Sequence, residues 1–161
     1  MSVVITAERP DSADAVELIA ELDALLNPLY PPESCHGYSV ERLIARGVAF
    51  FVIRENGVPA GCGGIQLFGT EYGELKRMYV RPRFRGLGYG KSLVDHLADY
   101  ARTHGVDLLR LETGVHQQAA IRLYERMGFQ RIAPFGVYVD SPNSVCYEKR
   151  IPREKSPGDR P

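Results

Sequence analysis

Apolar positions along this chain change period several times, and each change marks an element. Residues 3–7 form a β-branched apolar run that predicts a first strand. Ala15, Leu18, Ile19, Leu22, Leu25 and Leu26 then recur at helical spacing, with Asp11 or Ser12 placed to cap the helix and Pro28, Pro31 and Pro32 placed to end it. Residues 29–38 mix proline, serine, glycine, a cysteine and a histidine, which predicts a loop. Ser39 caps a short helix through Leu43 and Ile44 that stops at Gly47. Residues 49–54 predict a strand and Asn56-Gly57 a hairpin turn, because both turn residues tolerate positive φ. Residues 58–68 are the returning strand, where Gly61, Gly63 and Gly64 predict a bulge or close packing; residues 72–80 are a further strand.

Leu93, Val94, Leu97, Ala98 and Ala101 are the inward face of a long helix that Gly105 ends. Residues 106–113 predict a strand, and Ala120, Leu123, Tyr124 and Met127 a helix face closed by Gly128. Residues 129–132 and 145–148 are the last two strands. Residues 152–161 are rich in proline and charge and read as a frayed tail, so the domain is placed at residues 1–151. The order β-α-α-β-β-β-α-β-α-β-β predicts one α/β (α+β) domain, a mixed sheet with helices on both faces.

Composition narrows the function classes. The chain has 161 residues, about one domain, with 20 Lys and Arg balanced by 20 Asp and Glu. A net charge of zero argues against a basic nucleic-acid binder and against an acidic tail protein. The longest apolar run, residues 48–53, is far short of a membrane span, and the N-terminus lacks the basic start and apolar stretch of a signal peptide. Cys35, Cys62 and Cys146 are odd in number and widely spaced, which points to a reducing cytosol rather than a disulfide framework. No H-E-x-x-H, C-x-x-C or D-x-D-x-D-G pattern suggests a metal.

The chemistry concentrates between Lys76 and Lys91, where six residues are basic and none acidic. Such a local excess in a neutral chain points to an anionic ligand at that place. Gly86, Gly88 and Gly90 lie between a strand and a helix, where open N–H groups and the helix dipole attract anions and absent Cβ atoms let a phosphate approach. A Walker A loop is excluded because its first glycine would fall on Arg85. A dinucleotide fingerprint is excluded because Gly88 and Gly90 stand one residue too close. What remains is R-x-x-G-x-G, filled by Arg85, Gly88 and Gly90.

This segment, residues 75–102, resembles the acyl-CoA-binding motif of the GCN5-related N-acetyltransferase (GNAT) superfamily. Leu111, Thr113, Gln117, Ala120, Leu123-Tyr124-Glu125 and Gly128-Phe129 resemble the family's following strand and helix, with Gln117 where asparagine is usual. The resemblance implies a GNAT-like mixed sheet of six to seven strands and about four helices, with a splay between the fourth and fifth strands. It implies acetyl transfer from acetyl-CoA directly to a primary amine of a small molecule, without a metal and with homodimers common; the cysteines, charge and hydropathy add a cytoplasmic location and no nucleic-acid or membrane partner. A non-catalytic acyl-CoA sensor and a protein lysine or N-terminal acetyltransferase are the alternative readings.

Residue by residue, the resemblance implies that Met78, Tyr79 and Val80 pair with the pantetheine arm as an added strand, and that their N–H groups polarise the thioester carbonyl. The stretch Arg85, Gly86, Leu87, Gly88, Tyr89, Gly90 and Lys91 would hold the pyrophosphate, and Gln117 would contact the cofactor. Tyr124 matches the family's general acid, with core packing as its other reading, and Glu74 matches an acidic general base, with a surface carboxylate as its other reading. Glu112 lines the substrate side or pairs with Arg110 or another surface cation. Glu33, Ser34 and His36, in the loop that covers the acceptor site in this family, and Tyr138, between the last strands, are candidate substrate contacts. His96 and His104 read as surface residues of the long helix.

Overall fold

The computed structural model describes residues 2–152, so all but the first residue of the expected tail lies outside the described residues. Seven strands form one sheet in the order β1-β2-β3-β4-β5-β7-β6. They are β1 (Val3–Ala7), β2 (Ala49–Glu55), β3 (Val58–Phe68), β4 (Tyr72–Val80), β5 (Leu108–Gly114), β6 (Gln130–Ile132) and β7 (Ser144–Arg150). The helices are α1 (Ala13–Leu26), α2 (Val40–Ala45), α3 (Tyr89–Thr103) and α4 (Gln118–Arg126). Ser12 and Ser39 are the N-caps of α1 and α2, their hydroxyls accepting from the amides of Ala15 and Arg42.

The apolar run 48–53 is continuous because β2 is buried on both faces. Phe50 and Val52 pack under α1 and α2 with Leu18, Ile19, Leu22 and Leu43, while Phe51 packs on the other face with Val94 and Leu97 of α3. Two expectations fail here. His96 is not a plain surface residue: it meets the Phe51 ring edge-on, with centroids 4.6 Å apart. Leu25 is exposed, because the last turn of α1, with Asp23 and Leu26, overhangs a cleft rather than the sheet.

Two departures from a regular sheet build that cleft. The first is a bulge. β3 pairs with β4 through Cys62–Tyr79 and Gly64–Lys76, so Arg77 and Met78 together face Gly63. Arg77 takes a φ of +55°, and a Cβ on Gly63 would lie 2.4 Å from the Met78 sulfur. The expected bulge in β3 is found at Ala60, beside Gly61, in the pairing with β2, and the close packing at Gly63 makes room for the bulge in β4. The second is a fork. β4 and β5 run parallel but pair only at Gly73–Leu109 and Glu74–Arg110. Beyond Glu74 the β4 edge facing β5 has no strand partner among the described residues.

Candidate active site

The glycine loop joins β4 to α3 through a 3-10 turn at Pro82–Phe84. Gly88 is the N-cap of α3 with φ +83°, a backbone only glycine adopts freely, and it has no side chain to satisfy the helix start. The amides of Gly86, Leu87, Gly88, Gly90 and Lys91 find no backbone acceptor among the described residues. A row of free N–H groups at a helix N-terminus fits a pyrophosphate, and the open edge of β4 at Met78, Tyr79 and Val80 fits an amide-bearing arm laid along it. The side chains around the loop do other work. Tyr89 is buried against Phe84 and its hydroxyl donates to Glu55; Lys91 pairs with Asp95 at 2.8 Å, and Arg85 Nε donates to the Val80 carbonyl at 3.0 Å.

The basic residues before the helix do not all serve the loop. Of the six basic residues between 76 and 91, three turn away from the loop toward α1 and the cleft. Arg81 is held by Glu17 and Glu21, Arg77 by Asp23, and Lys76 by Glu74. The bulge breaks the alternation of β4, so consecutive Lys76 and Arg77 emerge on one side.

At the fork lies a cavity of about 300 Å³. Tyr124 of α4 lines it, 5 % exposed, its ring edge-on to Phe129. Burial pushes its phenol well above the usual tyrosine range, so at neutral pH it keeps its proton. Gln117, at the α4 N-terminus, also lines the cavity. Its Oε1 accepts from the Tyr30 hydroxyl at 3.1 Å, and that hydroxyl accepts from the His116 amide at 3.0 Å. Tyr30 can reach so deep because residue 114 is glycine: a Cβ there would sit 2.0 Å from the Tyr30 oxygen. Sequence reasoning missed Tyr30, whose partners lie 86 and 87 residues away.

The two candidate carboxylates separate cleanly. Glu74 does not line the cavity. It is 3 % exposed, and its Oε2 accepts from Lys76 Nζ at 2.8 Å and from the Tyr138 hydroxyl at 2.6 Å, both of which line the cavity. Glu112 does line the cavity. It does not pair with Arg110, which turns to Glu148 at 3.1 Å. Instead its Oε2 accepts from the Ser144 hydroxyl at 2.6 Å. Burial raises the Glu112 carboxyl above its ordinary value, with nearby Glu74 adding to the rise and Ser144 and Lys76 opposing it.

The loop residues also divide. Ser34, His36 and Tyr138 line the cavity, whereas Glu33 is exposed on the solvent side of the 3-10 turn Pro32–Ser34 and takes no part. His36 Nε2 lies 2.8 Å from Ser141 Oγ and its ring meets Tyr138 edge-on. Burial, aided by the charge of Lys76, lowers the His36 pKa, which favours the neutral ring. Among the described residues no group of three or more His, Cys, Asp or Glu could hold a metal ion.

The comparisons agree with this geometry. Residues 19–129 match the model of the acetyltransferase (GNAT) family. The IAA acetyltransferase of Azospirillum brasilense is 43 % identical over 152 residues, covering 93 % of this chain and 99 % of that one. The uncharacterized N-acetyltransferase YsnE of Bacillus subtilis is 33 % identical, covering 84 % and 91 %. A crystal structure from Klebsiella pneumoniae, assigned to the acyl-CoA N-acyltransferases, superposes with a TM-score of 0.78 at 38 % identity over 92 % of this chain and 97 % of that one. The PaiA N-acetyltransferase of Thermoplasma acidophilum, crystallised with coenzyme A, shares the fold with a TM-score of 0.74 at 20 % identity, over 93 % of this chain and 99 % of that one. With a forked sheet, an open glycine loop and relatives of full length, the chain belongs to the GNAT acetyltransferase family and is an acyl-CoA-dependent N-acetyltransferase.

Proposed function

We propose that this enzyme transfers the acetyl group of acetyl-CoA directly to a primary amine of a small molecule, with Glu112 as proton acceptor and Tyr124 as proton donor. One observation carries the reading: a half-buried carboxylate, Glu112, and a buried phenol, Tyr124, line the same small cavity at the mouth of the fork. A space of about 300 Å³ is in the range of small-ligand sites. An aliphatic ammonium, with a pKa near 10.4, must lose a proton before it can attack. Glu112, raised by burial and held by Ser144, is suited to take it. The N–C bond forms as the C–S bond breaks, and the departing sulfur takes its proton from Tyr124. The amides of Met78 to Val80 are placed to polarise the thioester oxygen, and those of Gly86 to Lys91 to hold the pyrophosphate, with Gln117 beside the arm. Glu74 serves instead to fix Lys76 and Tyr138 beneath the acceptor. Three free thiols, two of them buried, suit a reducing compartment, and we place the enzyme in the cytoplasm.

The test is thiol release from acetyl-CoA across an amine panel, repeated with Glu112→Gln and Tyr124→Phe. Turnover on at least one amine that both substitutions depress by roughly a hundredfold is expected. Tight acetyl-CoA binding with no turnover on any amine would favour the sensor reading.

A further inference from the structure

Two buried side-chain atoms among the described residues have no hydrogen-bond partner, Gln66 Oε1 and Arg77 Nε, and of the two residues only Arg77 lines the cavity. The neighbouring cation, Lys76, is fully engaged: Glu74 at 2.8 Å, the Tyr138 hydroxyl at 3.3 Å and the face of Tyr38 at 4.0 Å enclose its ammonium. Arg77 is different. Its side chain is 3 % exposed, yet its one acid partner, Asp23, sits at the rim with 46 % of its side chain exposed and bonds a single nitrogen, Nη2. The only other acceptor among the described residues is the Ile19 carbonyl, at 3.5 Å from that same nitrogen. Nη1 is pressed so close to Gly37 that a Cβ there would lie 1.7 Å from it. A buried guanidinium with spare donors, carried on a residue in the left-handed region, is where a protein waits for an anion.

Across the fork stands Glu112, a half-buried carboxylate that lines the same cavity and is held by the Ser144 hydroxyl at 2.6 Å. β4 thus offers a cation and β5 an anion, with the apolar flank of Leu22 and Leu26 beside them. We infer that the acceptor is a small amino acid-like zwitterion whose carboxylate is held by Arg77 and whose amine is presented to Glu112. The inference rests on the acetyl-transfer reading and adds the acceptor's chemical class. It also accounts for the bulge: in a regular strand Arg77 would point away from the cavity that Lys76 enters.

The test uses the wild-type enzyme and acetyl-CoA with matched pairs, each α-amino acid against its own α-carboxamide, and with phenethylamine and spermidine as amines lacking any acid. Acetylated product is read by mass spectrometry and rate by thiol release. The acids should exceed their amides in kcat/KM by about 10- to 100-fold, the worth of a charge-assisted hydrogen bond. In Arg77→Gln that preference should collapse, with the loss appearing as a raised KM for the acids. Acetylation of amides or acid-free amines as well as or better than amino acids overturns the inference while leaving acetyl transfer intact. So does an undiminished preference in a folded Arg77→Gln variant. If Arg77→Gln does not fold, the matched pairs on the wild-type enzyme decide alone. No acetylation of any of these probes overturns the inference too, and a wider amine panel that is also blank then removes the acetyl-transfer reading with it.

Discussion

Replacing Gly88 separates the geometry of the glycine loop from its electrostatics. Nothing lies within 4 Å of a Cβ built at this position, so Gly88→Ala meets no clash in the free protein. Its cost is the left-handed backbone alone, φ +83°, about 1–2 kcal/mol. For a domain of this size that is a fall in Tm of about 2–8 °C. Gly88→Glu carries the same strain and adds a negative charge beside the anion site. At a separation of about 6 Å and an effective dielectric constant of about 40, each charge on a pyrophosphate costs ~1.4 kcal/mol, so two cost ~3 kcal/mol. Coenzyme A affinity should fall by about 100-fold. Calorimetric titration at low salt reads that loss. Repeating it near 1 M salt, where the Debye length is about 3 Å, should restore much of the Glu variant's deficit and little of the Ala variant's. Equal Kd values for wild type and Gly88→Glu would refute the assignment of this loop to the phosphates.

The Tyr124 hydroxyl has no hydrogen-bond partner among the described residues, so Tyr124→Phe should leave Tm within about 2 °C while kcat drops roughly a hundredfold; equal kcat would remove Tyr124 from the chemistry. Because the Glu112 carboxyl is raised, the acid limb of kcat/KM should lie above the ordinary glutamate value of 4.5, and Glu112→Gln should abolish that limb; an unaltered pH–rate profile would count against Glu112. The same raised pKa means that the folded state holds this proton where the unfolded chain has released it. Stability is therefore lost as pH rises from the unfolded to the folded value, and Glu112→Gln should melt higher than wild type at pH 8 but not at pH 3. A Cβ at residue 61 would lie 2.5 Å from the Tyr79 carbonyl, so Gly61→Ala should cost about 1–3 kcal/mol in urea unfolding and weaken coenzyme A binding by displacing the β4 edge.

The order of elements and the glycine loop were legible because both rest on local signals, hydrophobic period and a helix start with no side chain. Ser12 and Ser39 cap where expected, and Asn56 and Gly57 both take positive φ. What stayed hidden depends on contacts remote in sequence. Glu74 was legible from the strand that leads to the loop, but its partner Tyr138 lies 64 residues on. Glu112 looked ambiguous until Ser144, 32 residues on, proved to hold it. The joint emergence of Lys76 and Arg77 could not come from strand alternation, since a bulge suspends that rule. Its trace in the sequence is the glycines of β3, and the contact of Gly63 with Met78 that gives them their purpose exists only after pairing.

The two-pair seam between β4 and β5 has a mechanical consequence. One block, β1 to β4, is laced together by antiparallel ladders, and so is the other, β5 with β7 and β6; the hydrogen bonds between blocks are few and lie at one end. Side chains from both blocks meet in the cluster that holds Phe51, Leu97, Leu109 and Tyr124, so the coupling is apolar and short-ranged. The molecule is then a clothes-peg, sprung at the closed end and free at the jaws. An occupant wedged between the jaws would report itself in amide exchange of both half-sheets at once.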